Sequence, residues 1–322
     1  MGSLKTRTLT KGLFLVAFCS LTMFFIYFCM RKGDMECPGA SSHHYISGLM
    51  GPKYFNLISN ETHPDYPPLN HHTNYSRDKF TIIMPTYGRS AQLLQILTHY
   101  CGISNVAKIL VLWNNIGVPI PGPIKYFECQ VPLKIKIMEE NKLTSRFIPY
   151  PEIETEAIFA VDDDRMVDPV GMEKGFAAWK TFYHLIVGFS MRHFGMLENG
   201  QYKYCKRIDS YSMMLTNSAF LHRMYLKMFT ESLPRSIYAF IDENMNGEDI
   251  AMNAMVADYL KKIDRPQCPC LWVEASTEEI HMKGQFVSLY GRGDHVKKRD
   301  ECLNMIASEY KYMPLMPCKY VV

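Results

Sequence analysis

Apolar runs that break off abruptly into polar residues recur along this chain from Lys79 onward. Phe80-Thr81-Ile82-Ile83-Met84 ends at Pro85 and is followed by Thr86-Tyr87-Gly88-Arg89. Lys108 to Trp113 ends at Asn114-Asn115, and Leu133 to Met138 ends at Glu139-Glu140-Asn141-Lys142. Ala157-Ile158-Phe159-Ala160-Val161 runs straight into Asp162-Asp163-Asp164. Short runs bounded by such polarity changes read as buried strands. Between the first two, Ala91 to Tyr100 repeats apolar residues at helical spacing through Leu93, Leu94 and Leu97. Strands alternating with helical patterns predict βα units around a parallel sheet, an α/β fold.

Beyond Asp168 the rhythm changes. Phe176 to Tyr183 reads as a helix, Leu185 to Phe189 as a strand, and Met196 to Arg207 as an excursion. Ser210 to Leu215 reads as a further strand and Phe220 to Phe229 as a helix. Asn246-Gly247-Glu248-Asp249 opens a strongly helical run from Ile250 to Leu260.

Upstream of this body, Gly12 to Met30 carries no charge over nineteen residues and is rich in Phe, Leu and Val. A membrane helix needs about 20 such residues, and the run exceeds the apolar part of a cleaved leader. Lys5, Arg7 and Lys11 precede it and Arg31 and Lys32 follow, a slight bias toward an inward N-terminus. Two glycosylation tripeptides downstream, Asn60-Glu61-Thr62 and Asn74-Tyr75-Ser76, place the remainder in the lumen. The expected organisation is a cytoplasmic tail at 1–11, a single-pass type II signal anchor at 12–30, a lumenal stem at 31–76 and a folded domain at 77–322. The short span suits the thinner endoplasmic reticulum or Golgi membrane. His43-His44 and His71-His72 in the polar, Pro-rich stem read as solvated rather than metal-binding.

The 322 residues are 48% hydrophobic and 21% charged, with a formal net charge of +3. Five of the basic residues flank the apolar span, so the rest is slightly acidic and a nucleic-acid polymer is not an expected partner. Ten cysteines include Cys19 and Cys29 within the span, leaving eight for an oxidising lumen. Their pairing is not legible in the sequence. Cys268-Pro269-Cys270 has one residue between its sulfurs and fits neither a zinc pair nor a redox dithiol.

The aspartate trio carries the leading candidate chemistry. The carboxyl ends of strands are where open α/β sheets bind ligands. Clustered carboxylates repel one another unless a cation balances them, and hard oxygen donors suit a divalent ion that also holds phosphates. This is the Asp-x-Asp arrangement with which many glycosyltransferases hold a nucleotide-sugar diphosphate, although the tripeptide alone fits an acidic turn or a helix cap equally well. Arg89, Asn114, Asn141 and Asp162 stand at successive strand ends, which gathers a site at one edge. Taken alone, Glu248 and Asp249 read as acids at a helix N-terminus, and Arg299 after Lys297-Lys298 as part of a solvated basic face.

Six ordered segments resemble the exostosin and exostosin-like glycosyltransferases, family 64. They are Phe80 to Arg89, Val111 to Gly117, Pro151 to Thr155, Val161 to Asp164, Asn246 to Asn253, and Arg299 to Cys302 through Tyr312 to Leu315. The resemblance covers about residues 79–316 and is to the short form with a single catalytic domain. It implies a GT-A fold, with its Rossmann-like central sheet, and a retaining, Mn2+-dependent transferase. The implied transfer is of N-acetylhexosamine from UDP-GlcNAc or UDP-GalNAc to a glycan acceptor of the heparan sulfate linkage region. It assigns Arg89, Asn114, Asn141 and Arg146 to donor binding, Asp162 and Asp163 likewise, and Asp164 to the metal. Glu248 and Asp249 match the acidic pair beside the reacting sugar, with Asp249 in the catalytic position, and Arg299 matches a residue that steadies the departing diphosphate.

Two departures stand out. Pro85 replaces a Gln of the animal pattern, and Gly247 replaces a Cys that pairs with the cysteine matching Cys302. Cys302 is therefore expected free or paired with Cys268 or Cys270. Plant relatives imply an alternative, a mannosyl- or glucosaminyl-transferase acting on glycolipid head groups. A non-catalytic sugar-binding protein on the same fold is a third reading, and a homodimer is left open.

Overall fold

The computed structural model describes Cys37 and residues 75–207, 209–264, 267–280 and 293–322. The expected anchor at 12–30, both sequon asparagines and the two His pairs lie outside the described residues, among which no helix is long and apolar enough to cross a membrane.

β1 (Ser76–Thr86), α1 (Ser90–Cys101), β2 (Val106–Trp113), the single-turn α2 (Gly122–Lys125) and β3 (Leu133–Ile137) alternate as the pattern predicts. A 3-10 turn (Leu143–Phe147) leads to β4 (Thr155–Val161), β5 (Arg165–Val167) and α3 (Pro169–Thr181). Then come β6 (Ile186–Gly188), β7 (Met191–Met196), β8 (Tyr202–Cys205), β9 (Met213–Met214) and β10 (Ser218–His222). α4 (Met224–Glu231), α5 (Arg235–Asn244), α6 (Glu248–Lys262), β11 (Cys270–Trp272), β12 (Thr277–Glu279) and α7 (His295–Tyr310) follow.

Seven strands form the central sheet in the order β11-β6-β10-β4-β1-β2-β3. β4, β1, β2 and β3 are mutually parallel, and β11 is parallel to β6. β10 runs antiparallel to both β4 and β6, so the sheet is mixed rather than wholly parallel. This corrects the helix expected from Phe220: Ser218–His222 is a strand buried at every position, and the helix begins only at Met224. A five-residue run buried on both faces carries no period, so strand and buried helix look alike in sequence. The reversal has a use. It brings the N-terminal end of β10 to the edge where the parallel strands finish, and Asn217 accepts there from the Asp162 amide at 3.0 Å.

Two other boundaries move. α3 starts at Pro169 rather than Phe176, because Asp168 caps the Gly171 amide at 2.9 Å and Pro169 suits the first helical turn. The expected excursion after Met196 is the tip and second strand of the β7–β8 hairpin, which pairs from Met196↔Tyr202 to His193↔Cys205.

One face of the sheet packs α3 through aromatic rings. Phe80 meets Phe159, Phe176 and Phe220 edge-on at 5.0–6.2 Å between ring centres. Aromatic pairs of this geometry add about 0.5–1.5 kcal/mol to the burial of their area. Gly175 lets α3 approach, since a Cβ there would stand 2.6 Å from Phe189 and 2.9 Å from Phe220. Disulfides join Cys37 to Cys205, Cys101 to Cys129 and Cys268 to Cys318. Cys302 and Cys270 are unpaired and buried, which excludes the pairings considered for Cys302.

Gly175→Ala should therefore overpack the aromatic layer and destabilise the body by about 1–3 kcal/mol. Urea unfolding of the variant against the parent checks it, and unchanged stability would contradict the packing described.

Candidate active site

Strand ends and helix starts converge on one cluster at the carboxyl edge of the sheet. The loop after β1 supplies Arg89, whose Nη1 donates to Asp163 at 2.8 Å and Asp164 at 2.6 Å. Thr86, the last residue of β1, donates to the other Asp163 oxygen at 2.6 Å. From the 3-10 turn, Arg146 pairs with Asp162 through Nη2 and reaches Glu248 at 3.6 Å through Nη1. Arg146 Nη1 also donates to Thr216, just before β10, at 3.4 Å. That turn is fixed from outside by Asp242 of α5, which accepts from the Thr144 amide at 2.9 Å and hydroxyl at 2.7 Å.

α6 begins at Glu248 directly after Gly247, whose φ of 91° lies in the left-handed region. Glu248 and Asp249 are both buried there, so neutralising a helix end in solvent does not account for them. Arg299 of α7 donates from Nη1 to both Asp249 oxygens at 2.9 Å. Its Nε donates to His295 at 3.1 Å, and its guanidinium lies 4.7 Å over the Tyr204 ring. The solvated basic face expected for Arg299 is thus overturned: residues four apart share a helix face, and His295 and Arg299 face inward. Lys298 instead turns outward and pairs with Glu301 at 2.8 Å.

The charge balance is uneven. Asp162, Asp163, Asp164, Glu248 and Asp249 stand against Arg89, Arg146 and Arg299, five carboxylates to three guanidiniums. Burial, then repulsion from Asp162, pushes Asp164 up to about 7. Burial, then Asp249, pushes Glu248 up to about 7. Burial raises Asp163 as well, despite the opposing field of Arg89 and the bond from Thr86. Burial opposes charge on Arg299, but the combined fields of Asp249, Tyr204 and Glu248 outweigh it and hold the guanidinium above its ordinary value. The excess of two formal negative charges equals the charge of one divalent cation. An all-oxygen donor set suits a hard ion of the Mg2+ or Mn2+ kind, so the residues present fit such a metal.

Asn114 and Asn115 follow β2 and are both buried. Asn115 accepts from the Gly88 amide at 2.6 Å, while Asn114 Oδ1 has no partner among the described residues. A buried amide oxygen without a donor costs free energy unless a ligand supplies one. Asn141 is half-buried before the 3-10 turn, and no side-chain bond ties it to the cluster among the described residues. The structure thus brings together Arg89, Arg146, Asp162, Asp163, Asp164, Glu248, Asp249 and Arg299, and puts Asn114 and Asn141 after β2 and β3 at the same sheet edge without a side-chain bond to the cluster among the described residues. Thr86, Thr216, His295 and Tyr204 also belong to the cluster and were missed. Thr86 could have been found as the polar residue closing β1, whereas the others come from segments with no motif of their own.

Comparison with known proteins agrees with this geometry. Exostosin-like 2 of Homo sapiens is 31% identical over 253 residues, 74% of this chain and 74% of that protein. Exostosin-2 of Bos taurus is 34% identical over 249 residues, 73% of this chain but 33% of the longer protein, so this chain matches about a third of it. Glycosylinositol phosphorylceramide mannosyl transferase 1 of Arabidopsis thaliana is 29% identical over 260 residues, 75% of each chain. A family profile described as the glycosyl transferase family 64 domain matches residues 80–322, nearly all of the folded body. The chain is a glycosyltransferase and belongs to glycosyl transferase family 64.

Proposed function

We propose that this glycosyltransferase has the GT-A fold and moves N-acetylhexosamine from UDP-GlcNAc or UDP-GalNAc to a glycan acceptor, with retention of configuration and with Mn2+. A place in heparan sulfate linkage-region synthesis fits the exostosin-like relatives. The observation that carries the reading is the imbalance of five carboxylates and three guanidiniums in one buried cluster. A bound Mn2+ supplies Lewis-acid neutralisation of diphosphate oxygens. Asp164, with Asp162 and Asp163 beside it, would hold that ion, and Arg89 and Arg146 would orient the donor's phosphates. Asn114 would meet the nucleoside with its unpartnered amide oxygen, and Asn141 is assigned to the base by resemblance alone.

At the other end of the cluster Asp249 is the catalytic carboxylate. Breaking the anomeric bond builds oxocarbenium-like positive charge, which an ionised carboxylate stabilises more than it stabilises the resting sugar. Arg299 faces both oxygens of the buried Asp249 with one nitrogen. Its Nη2, which donates to no described residue, is the group left for the departing diphosphate. Glu248, held near neutrality at about 7, provides a proton-bearing oxygen beside the sugar. The chain is further proposed to be a single-pass type II protein of the Golgi or endoplasmic reticulum, anchored by residues 12–30.

A mannosyl donor is the second reading, favoured by the 29% identity to the plant mannosyl transferase over 75% of both chains. Thermal shift with UDP, GDP and their sugars, with and without Mn2+, separates the two, because a ligand at 100 times its Kd adds about 2.7 kcal/mol to the native state. If no nucleotide raises the melting temperature with Mn2+, both readings fail.

Asp164→Ala and Asp249→Asn should each lower Mn2+-dependent sugar transfer by about 100- to 1,000-fold, the scale of losing one preorganised electrostatic group. Asp164→Ala should abolish the metal dependence of nucleotide binding, whereas Asp249→Asn should leave it intact. Turnover at the parent rate in either variant would remove that residue from its role.

A pH series tests the charge balance itself. Asp164 and Glu248 bind protons more tightly in the folded protein, at about 7, than at their ordinary values of 3.8 and 4.5. Their contribution to stability is complete below those ordinary values and is lost as pH rises through about 7. Metal-free protein should therefore melt at a falling temperature between about pH 5 and pH 8, and the stabilisation by Mn2+ with UDP should grow over the same interval. A melting temperature that rises with pH in the absence of metal would contradict it.

A further inference from the structure

The Cys37–Cys205 disulfide spans 168 positions and joins the segment before the catalytic body to the β7–β8 hairpin. Cys37 stands only seven positions after Met30, the last residue of the apolar run. An extended chain covers at most about 3.3–3.6 Å per residue, so Cys37 lies within about 25 Å of the point where that run ends. Without the cross-link, residues 31–76 would let the body stand off by up to about 150 Å. The cross-link bypasses that length.

The hairpin gives the tether a direction. Side chains alternate across a strand, so Cys205 and Lys203 share one face of β8 and Tyr204 points to the other. Tyr204 carries the guanidinium of Arg299, and the backbone of β8 is clamped to α7, with the Tyr204 amide donating to Asp300 at 2.6 Å. The Tyr202 amide donates to Asn304 at 2.9 Å and its carbonyl accepts from Asn304 at 2.8 Å. The face of β8 that receives Cys37 is thus the one turned away from Arg299. The register agrees: His193 lies opposite Cys205 on that face, whereas Met196 lies opposite Tyr202 on the Tyr204 face.

We propose that the Cys37–Cys205 disulfide ties the catalytic body to the bilayer surface, with the β7–β8 hairpin between α7 and the lipid head groups. This rests on the reading of residues 12–30 as a membrane span. The enzyme then works within a short, fixed distance of the membrane instead of at the end of a long stem.

The test uses the full chain in lipid vesicles with its body outward and a sequence-specific protease site inserted between Met50 and Gly51. After cleavage the body should sediment with the vesicles under non-reducing conditions and be released by dithiothreitol. The Cys37→Ser variant, which keeps the other two disulfides, should be released by cleavage alone. Release of the parent body without reductant overturns the tether, as does retention of the cleaved Cys37→Ser body. Alkaline carbonate extraction of uncut protein reports the span separately. Uncut chain found in the soluble fraction overturns the span, and the tether with it, while leaving the disulfide itself to the cleavage result.

Discussion

Everything at the carboxyl edge of the sheet depends on holding five acids together in a place that water reaches poorly. Three guanidiniums do most of it, each assigned to a different part of the cluster. Arg89 serves Asp163 and Asp164, Arg146 bridges Asp162 and Glu248, and Arg299 holds Asp249 with one nitrogen on both oxygens. A lone buried carboxylate would give up its charge. Arginine resists that exchange because it does not deprotonate in proteins, and its planar fork can face two acceptors. Asp164, beside Arg89, and Glu248, beside Arg146, both feel the charge of Asp162 and are the two pushed up to about 7. The deficit therefore has two locations. One lies where a metal would bind, the other beside the carboxylate that would meet the sugar.

The sheet makes that distribution possible. The parallel strands β1, β2 and β4 deliver Arg89, Asn114 and the aspartate trio to one edge. The reversed β10 closes the same edge with Thr216 and Asn217, which a parallel strand would have carried to the far side. The helices α6 and α7 then bring Asp249 and Arg299 together across 50 positions of sequence. Their meeting requires a close approach at Gly247, where a Cβ would come within 2.6 Å of the Cys302 sulfur. The cluster thus joins the sheet, which holds the aspartate trio, to a helix pair, which holds Glu248, Asp249 and Arg299.

How much of this was legible in the sequence follows from where the information is stored. Polarity breaks after β1, β2, β3 and β4 are local, so those strands and the polar groups ending them could be read directly. β10 could not, because Ser218–His222 is buried on both faces and its period is silent. The start of α3 was present in Asp168-Pro169, a capping signal passed over in favour of the apolar run downstream. Arg299 looked like surface because Lys297 and Lys298 precede it, and only the helical turn separates its direction from theirs. Resemblance to a family supplied that residue where local pattern failed. It also supplied Asn141, which no bond ties to the cluster among the described residues. His295 and Tyr204 were beyond reach, since each matters only through Arg299, to which the fold brings them.

The unpaired Cys302 has a consequence for durability. In any oxidising compartment, a free thiol directly beneath the start of the helix that bears both acids would invite attack by peroxide or by another disulfide. The reactive species is the thiolate, and burial, helped by Asp249, pushes the Cys302 thiol well above its ordinary value. Burial and the negative charge of the neighbouring acids therefore keep the sulfur chemically quiet, so redox damage here should begin only after α6 and α7 have parted.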